Sequence, residues 1–295
     1  MIKRASILMS FLMAVTLLVP LVGEPEEEAF AGPVMGRLHQ EHQPIDKHKV
    51  FILVIGNDAR AGNPDNVRAD ALHIVGINTK TMRGGILNFP RDSYVSIPGS
   101  GSGRVNESLY RGGPELVART MESITGIQLD YWVMTGFEGF RNIVRRIGPI
   151  PYKITRDIFD PTGSGAALKA GTKRLKGEQA LAYVRTRHSF PRGDIDRTTN
   201  QGSFMIALLK KFQGEVNESP GALLRWISIT RAYTRHDVSA DEMFRLAILA
   251  SQIKPKHMGR VTVPVSYGSV GAASVVFIQG GAQGIYARFR EKASL

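Results

Sequence analysis

Unbroken apolar runs and turn signals divide the chain into short strands and longer helices. Val50 to Ile55 is apolar throughout and stops at Gly56-Asn57, the pattern of a buried strand. Leu72 to Ile77 and Gly85 to Phe89 read as two more strands, and the short turn from Lys80 to Gly84 favours antiparallel pairing between them. Gly113-Pro114-Glu115 opens a helix to about Thr125, with Gly126 just past its end. Tyr131 to Thr135 alternates as a strand, Glu138 to Ile147 has a helical period, and Ile150 to Ile154 returns as a strand. The second half is more helical. It predicts helices over Gly177 to Tyr183, Ile195 to Phe212 and Gly221 to Tyr233, then one reaching Ile253 from a capping box at Ser239-Ala240-Asp241-Glu242. Val261 to Val265 and Ser274 to Ile278 are predicted strands before a terminal helix from Gln283. Strands and helices mix without a strict βαβ rhythm, so the expected fold class is α/β, a single mixed-sheet domain with helices on both faces.

Ahead of this pattern, Lys3 and Arg4 precede an uncharged run from Ala5 to Val22, and Glu24, Glu26, Glu27 and Glu28 follow it. A run of that length can cross a thin bilayer as a helix, and the basic-before, acidic-after order predicts a cytoplasmic N-terminus. Residues 1–23 are therefore expected to be an N-terminal membrane anchor, 24–49 an extracytoplasmic tether and 50–295 the folded domain. The expected location is the cell membrane, single-pass. A signal peptide cleaved near Ala29-Phe30-Ala31 is the competing expectation, and either one exports the domain. The 295 residues, 43% of them hydrophobic, suffice for one large core, and the lack of cysteine excludes disulfides, thiolate metal sites and a cysteine nucleophile. A net charge of +12 attracts polyanions. Export, and the lack of a basic stripe interleaved with aromatics, argue against nucleic acid and leave lipid headgroups or an anionic wall polymer.

Arginines and aspartates gather in three places, each against apolar runs where an unpaired charge is costly. The first holds Asp58, Arg60, Arg68 and Asp70; the second Arg91 and Asp92; the third Arg185, Arg187, Asp194, Arg197 and Gln201. If the first two strands are neighbours, their connection brings Asp58 and Asp70 to one end of the sheet, where they suit Mg²⁺ held by carboxylates, phosphate oxygens and water. Arg185 and Arg187 share one side of an extended segment, and Asp194, Arg197 and Gln201 share one face of a helix. Convergent arginines call for more negative charge than these aspartates supply, and a diphosphate with its metal would supply it. His73 reads as a structural histidine within a strand, His188 as a loop residue, and Gly99 to Gly103 as a flexible turn without a Walker lysine.

Six strings, in order, give the chain its likeness to a known family: Gly56-Asn57-Asp58-Ala59-Arg60, Arg68-Ala69-Asp70, Phe89-Pro90-Arg91-Asp92, Arg104-Val105-Asn106, Leu181 to Arg187, and Gly193-Asp194 through Gln201. With them the sequence resembles the LytR-CpsA-Psr family of cell-wall ligases. The resemblance implies transfer of a glycopolymer from a polyprenyl-diphosphate carrier to a peptidoglycan acceptor, on an α/β fold whose hydrophobic tunnel holds the lipid. It places Asp58 and Asp70 at a Mg²⁺ cofactor. It places Arg91, Arg185, Arg187, Arg197 and Gln201 at the diphosphate, joined by Arg60 and Arg68 of the first cluster. Arg91 is expected to act in catalysis, and either Asp92 or Asp194 to orient arginines or accept the hydroxyl proton. Two departures stand out: Asn200 where many members carry arginine, and Ala59 where many carry serine. A non-catalytic polyprenyl-diphosphate-binding or regulatory envelope protein is the alternative expectation.

Overall fold

The computed structural model describes residues 48–59 and 67–295. The expected anchor, nearly all of the tether and Arg60 lie outside the described residues. Among those described, no helix is long and apolar enough to cross a membrane.

The chain runs β1 (Lys49–Asn57), β2 (Ala69–Asn78), β3 (Arg83–Phe89), β4 (Tyr94–Ser96), β5 (Ser102–Arg104), α1 (Ser108–Thr125), β6 (Tyr131–Thr135) and α2 (Phe137–Ile147). It continues through β7 (Ile150–Pro151), β8 (Ile158–Asp160), β9 (Ala166–Leu168), β10 (Arg174–Leu175), α3 (Gly177–Arg185), α4 (Asp194–Glu218) and α5 (Gly221–Tyr233). The last elements are β11 (Arg235–His236), α6 (Ala240–Gln252), β12 (Met258–Thr262), β13 (Val265–Val270), β14 (Ala273–Ile278) and α7 (Gly281–Lys292). The main sheet has the order β11-β6-β1-β2-β3-β12, with β6 parallel to β1, β12 parallel to β3 and the other pairs antiparallel.

Both faces of this sheet are covered, as its continuous apolar strands require. Phe51, Leu53 and Ile55 of β1, with Leu72, Ile74, Leu87 and Phe89, pack under Val117 and Met121 of α1 and Tyr286 and Phe289 of α7. The alternate residues Val50, Ile52, Val75 and Ile77 face Met243 and Leu246 of α6. A further core off the sheet joins α2, α3 and α4 through Val144, Ile147, Tyr183 and Phe204.

Three expected elements need correction. Ile150 to Ile154 forms only the two residues of β7, because Pro151 has no N–H to extend a ladder. Val261 to Val265 is divided at Pro264 into β12, which pairs with β3, and β13, which pairs with β14. The helix expected from Gly113 is preceded by a helical turn from Ser108, with a kink at Gly112 and Gly113, where Gly113 takes φ 68°.

One glycine sets how closely α4 meets the sheet. A Cβ on Gly202 would collide with Oδ1 of Asn88. That oxygen is fully buried and accepts a hydrogen bond from His73 Nδ1 at 2.9 Å, while Asn88 Nδ2 donates to the Val261 carbonyl at 3.1 Å. With Asn88 pinned at both ends, Gly202→Ala is expected to destabilise the protein by about 1–3 kcal/mol, the usual range for overpacking. Denaturant unfolding of the two proteins at neutral pH measures it.

Candidate functional site

The site forms where the strands deliver their polar ends. β1 and β2 are antiparallel neighbours, so Asp58 just after β1 and Asp70 at the start of β2 reach the same end of the sheet. β3 ends there as well and hands over to Arg91 and Asp92. The β1–β2 register slips between Gly56 and Asn57: Gly56 faces Ala71 while Asn57 faces Ala69, leaving Asp70 as the extra residue of a bulge. Bulges re-aim a side chain and free its backbone from the ladder. Here the Asp70 carbonyl accepts a hydrogen bond from Arg197 Nη2 at 3.2 Å, and its carboxylate pairs with Arg91 Nη1.

Arg91 is the hub. Besides Asp70, its Nε lies 3.7 Å from Asp92 Oδ2 and 3.5 Å from Asp194 Oδ1. Arg197 Nη2, one turn into α4, lies 2.6 Å from the same Asp194 oxygen. Asp92 is also approached by Asn106 Nδ2 at 3.4 Å and Arg104 Nη1 at 4.0 Å. Burial tends to lower the Arg91 pKa, but Asp70, Asp194 and Asp92 together raise it. Burial pushes the Asp194 carboxyl up, against the pull of Arg197 and Arg91 and with the push of Asp92 and Asp70. Arg197, 3% exposed, is lowered by burial despite Asp194.

Three guanidiniums thus meet three carboxylates, so the inner cluster is closer to charge balance than its arginines alone suggest. It is not satisfied in hydrogen bonds. Among the described residues, Arg91 Nε, Arg197 Nε, both Asp194 oxygens, Asn200 Nδ2 and Gln201 Oε1 are buried without an aligned partner. Their concentration in one place marks a site built for a polar ligand.

The remaining expected residues stand around this centre. Asp58 Oδ1 accepts the Arg68 amide at 2.6 Å, and exposed Arg68 holds its guanidinium 6.0 Å from the Tyr110 ring centre. Arg185 is the last residue of α3, so it does not share an extended segment with Arg187 as expected, and it lies over Phe137 at 4.2 Å. Arg187 is exposed. Gln201 donates Nε2 to the Val184 carbonyl at 3.0 Å, tying α4 to the end of α3. Asn106 and Arg104 had no role assigned from sequence; Arg104 reaches Asp92 from the end of β5 and Asn106 from the helical turn just after it. As for the metal, no three His, Cys, Asp or Glu side chains converge as a cage among the described residues. Asp58, just past β1, and Asp70, the bulge residue whose carboxylate also meets Arg91, are hard oxygen donors at one end of the sheet, a set that fits an ion completed by phosphate oxygens and water.

An apolar cavity of about 120 Å³ lies next along α4, lined by Met205, Ile206 and Leu209 against Val75, Ile77 and Ile86 of the sheet.

The chain has relatives in both sequence and fold. The chain is 29% identical to the regulatory protein MsrR of Staphylococcus aureus over 233 residues, 78% of this chain and 69% of that protein. It is 33% identical to the polyisoprenyl-teichoic acid–peptidoglycan teichoic acid transferase TagU of Bacillus mycoides over 190 residues, covering 59% of this chain and 61% of TagU. The structure of TagT bound to LI-WTA superposes with a TM-score of 0.71 at 22% identity, covering 87% of this chain and 95% of TagT. The LytR_cpsA_psr family matches residues 28–291, and the chain belongs to that family.

Proposed function

We propose that the protein is a phosphotransferase that moves a glycopolymer from a polyprenyl-diphosphate carrier to peptidoglycan, anchored at the outer face of the cell membrane. The observation that carries this reading is the course of α4. Its first two turns bear Asp194, Arg197 and Gln201, and the next turns bear Met205, Ile206 and Leu209 on the apolar cavity. From Arg197 to Met205 a helix advances about 12 Å. One rigid rod therefore presents a cationic cluster and an apolar slot to the two ends of an amphiphile, and a lipid diphosphate has that polarity.

In this reading Arg91, Arg185, Arg187 and Arg197, with Arg60, Arg68 and Gln201, hold the diphosphate oxygens, arginine's planar fork being suited to them. Asp58 and Asp70 would hold Mg²⁺, which would neutralise charge on the diphosphate. The acceptor hydroxyl oxygen bonds to the phosphorus bearing the glycopolymer, the bridging P–O bond breaks, and polyprenyl phosphate leaves with the electron pair. Asp92 is assigned the hydroxyl proton. It is the more exposed of the two candidate carboxylates, at 26% against 18%, and its contacts are all long, from 3.4 to 4.0 Å. Asp194, close to Arg197 and Arg91, orients the arginines. Positioning and charge stabilisation are the main demands of such a transfer.

The test is transfer by the purified protein with a polyprenyl-diphosphate-linked glycopolymer, peptidoglycan fragments and Mg²⁺. Asp92→Asn is expected to lower turnover about 10²- to 10⁴-fold, the range for a lost general base, with lipid-diphosphate binding nearly unchanged. Neither binding nor product from the wild type rejects the proposal. Tight binding without product would favour a regulatory binder, the role in MsrR's name.

A further inference from the structure

The segment that carries Arg187 is fastened to the β8–β9 hairpin along its length. Thr186, the residue that closes α3, leaves the helical conformation (φ −63°, ψ 130°), and its side chain meets the hairpin. There its buried Oγ1 lies 2.6 Å from Ser164 Oγ. Thr186 Oγ1 donates to the Ala182 carbonyl at 2.8 Å, so Ser164 is the donor in the pair. Two residues on, His188 Nδ1 lies 3.0 Å from Oδ1 of Asp160, a carboxylate 3% exposed. Ser189 Oγ then donates to the Phe159 carbonyl at 3.0 Å, and Arg156 Nη2 donates to the Ser189 carbonyl at 2.7 Å. The hairpin is itself fixed, with Ile158, Ala166 and Leu168 in the same core as Tyr183.

Asp160 has the character of an anchor. Burial pushes its carboxyl up, but hydrogen bonds from His188 and the Gly163 amide outweigh that and hold it below the usual carboxylate range. The packing is close: a Cβ on Gly163 would stand 2.5 Å from Asp160 Oδ1 and 2.8 Å from His188 Nδ1. A mere surface ion pair would not need a buried carboxylate at the tip of a hairpin.

We propose that Asp160 and His188, with Ser164 and Thr186, form a lock that positions Arg187 for the diphosphate, making Asp160 and His188 positioning residues of the transfer site. This rests on the assignment of Arg187 to the diphosphate. Without the lock the Arg187 side chain keeps its charge but loses its fixed base, so a ligand must order the segment on binding.

Calorimetric binding of geranyl diphosphate with Mg²⁺ to the full chain tests it. His188→Ala is expected to weaken binding about threefold to tenfold, the worth of one net hydrogen bond, and to lower the thermal midpoint as well, because the buried Asp160 carboxylate loses a partner. His188→Asn sets an amide nitrogen where Nδ1 stands and is expected to restore binding to within about twofold. His188→Ala combined with Arg187→Ala is expected to bind no more weakly than Arg187→Ala alone, because the lock acts through that arginine. Wild-type affinity in His188→Ala while Arg187→Ala is weakened, or additive losses in the double variant, would overturn the lock and leave the transfer site standing. Wild-type affinity in Arg187→Ala would instead remove Arg187 from the diphosphate, and the lock with it.

Discussion

Arg91→Ala is expected to lower glycopolymer transfer about 10²- to 10³-fold, the loss measured when one preorganised donor to a developing negative charge is removed. No other side chain in the inner cluster touches three carboxylates: Asp70, Asp92 and Asp194 all lie within ion-pair distance of it. Its removal takes away a phosphate ligand and also leaves those carboxylates facing one another with Arg197 and Arg104 as their remaining partners. The structural cost is expected to be about 1–3 kcal/mol at neutral pH, below the value for a fully buried pair because the Arg91 side chain is 19% exposed. The pH dependence separates the two effects. Asp194, whose carboxyl burial already pushes up, loses the pull of Arg91 and is raised further above its unfolded value, and such a group costs stability as pH rises through that window. The deficit of Arg91→Ala relative to wild type should therefore shrink on acidification, while the loss of transfer persists wherever the assay runs. Arg91→Lys keeps the charge but not the fork and should fall between the two. Transfer at the wild-type rate by Arg91→Ala would remove the arginine clamp from the mechanism.

The parts of the site visible in the sequence were those tied to a regular period. Asp58, Asp70 and Arg91 could be placed at one end of the sheet because each adjoins an apolar run, and Asp194, Arg197 and Gln201 share a helix face at spacings of three and four. That Asp70 is a bulge residue was not visible, since a one-residue register slip leaves no trace in the alternation of β2. Arg104 reaches Asp92 from β5, and Asp160 reaches His188 from β8; strands of three residues are too short to show a period. His188 therefore read as a loop residue although its partner is buried. Arg91, Arg104 and Arg197 find aspartates of their own, and what points to a ligand is the set of buried atoms without aligned hydrogen bonds.

Stability is expected to fall by about 3 kcal/mol between pH 6.5 and about 4 through His73 alone. The tautomer follows from its neighbours: Asn88 Nδ2 donates to the Val261 carbonyl, so Asn88 Oδ1 faces His73 as an acceptor and His73 Nδ1 carries the proton. The ring is otherwise enclosed, 2% exposed. Burial lowers its pKa to about 4; the hydrogen bond to Asn88 opposes the shift, and the charge of Arg197 reinforces it. Between that value and the ordinary 6.5 the unfolded chain binds a proton that the folded protein refuses, so stability rises with pH across this window and is flat above it. Denaturant unfolding at several pH values should show that slope in the wild type. His73→Asn keeps a donor for Asn88 but cannot titrate; it should be less stable at neutral pH for want of ring volume, with a shallower slope in acid. Equal slopes in the two proteins would assign the acid sensitivity elsewhere. Because Asn88 packs against Gly202 of α4 and Arg197 lies on the same helix, protonation of His73 puts a positive charge beneath the arginine cluster. Acid should therefore loosen α4 at its charged end, and binding of a diphosphate there should oppose the loosening.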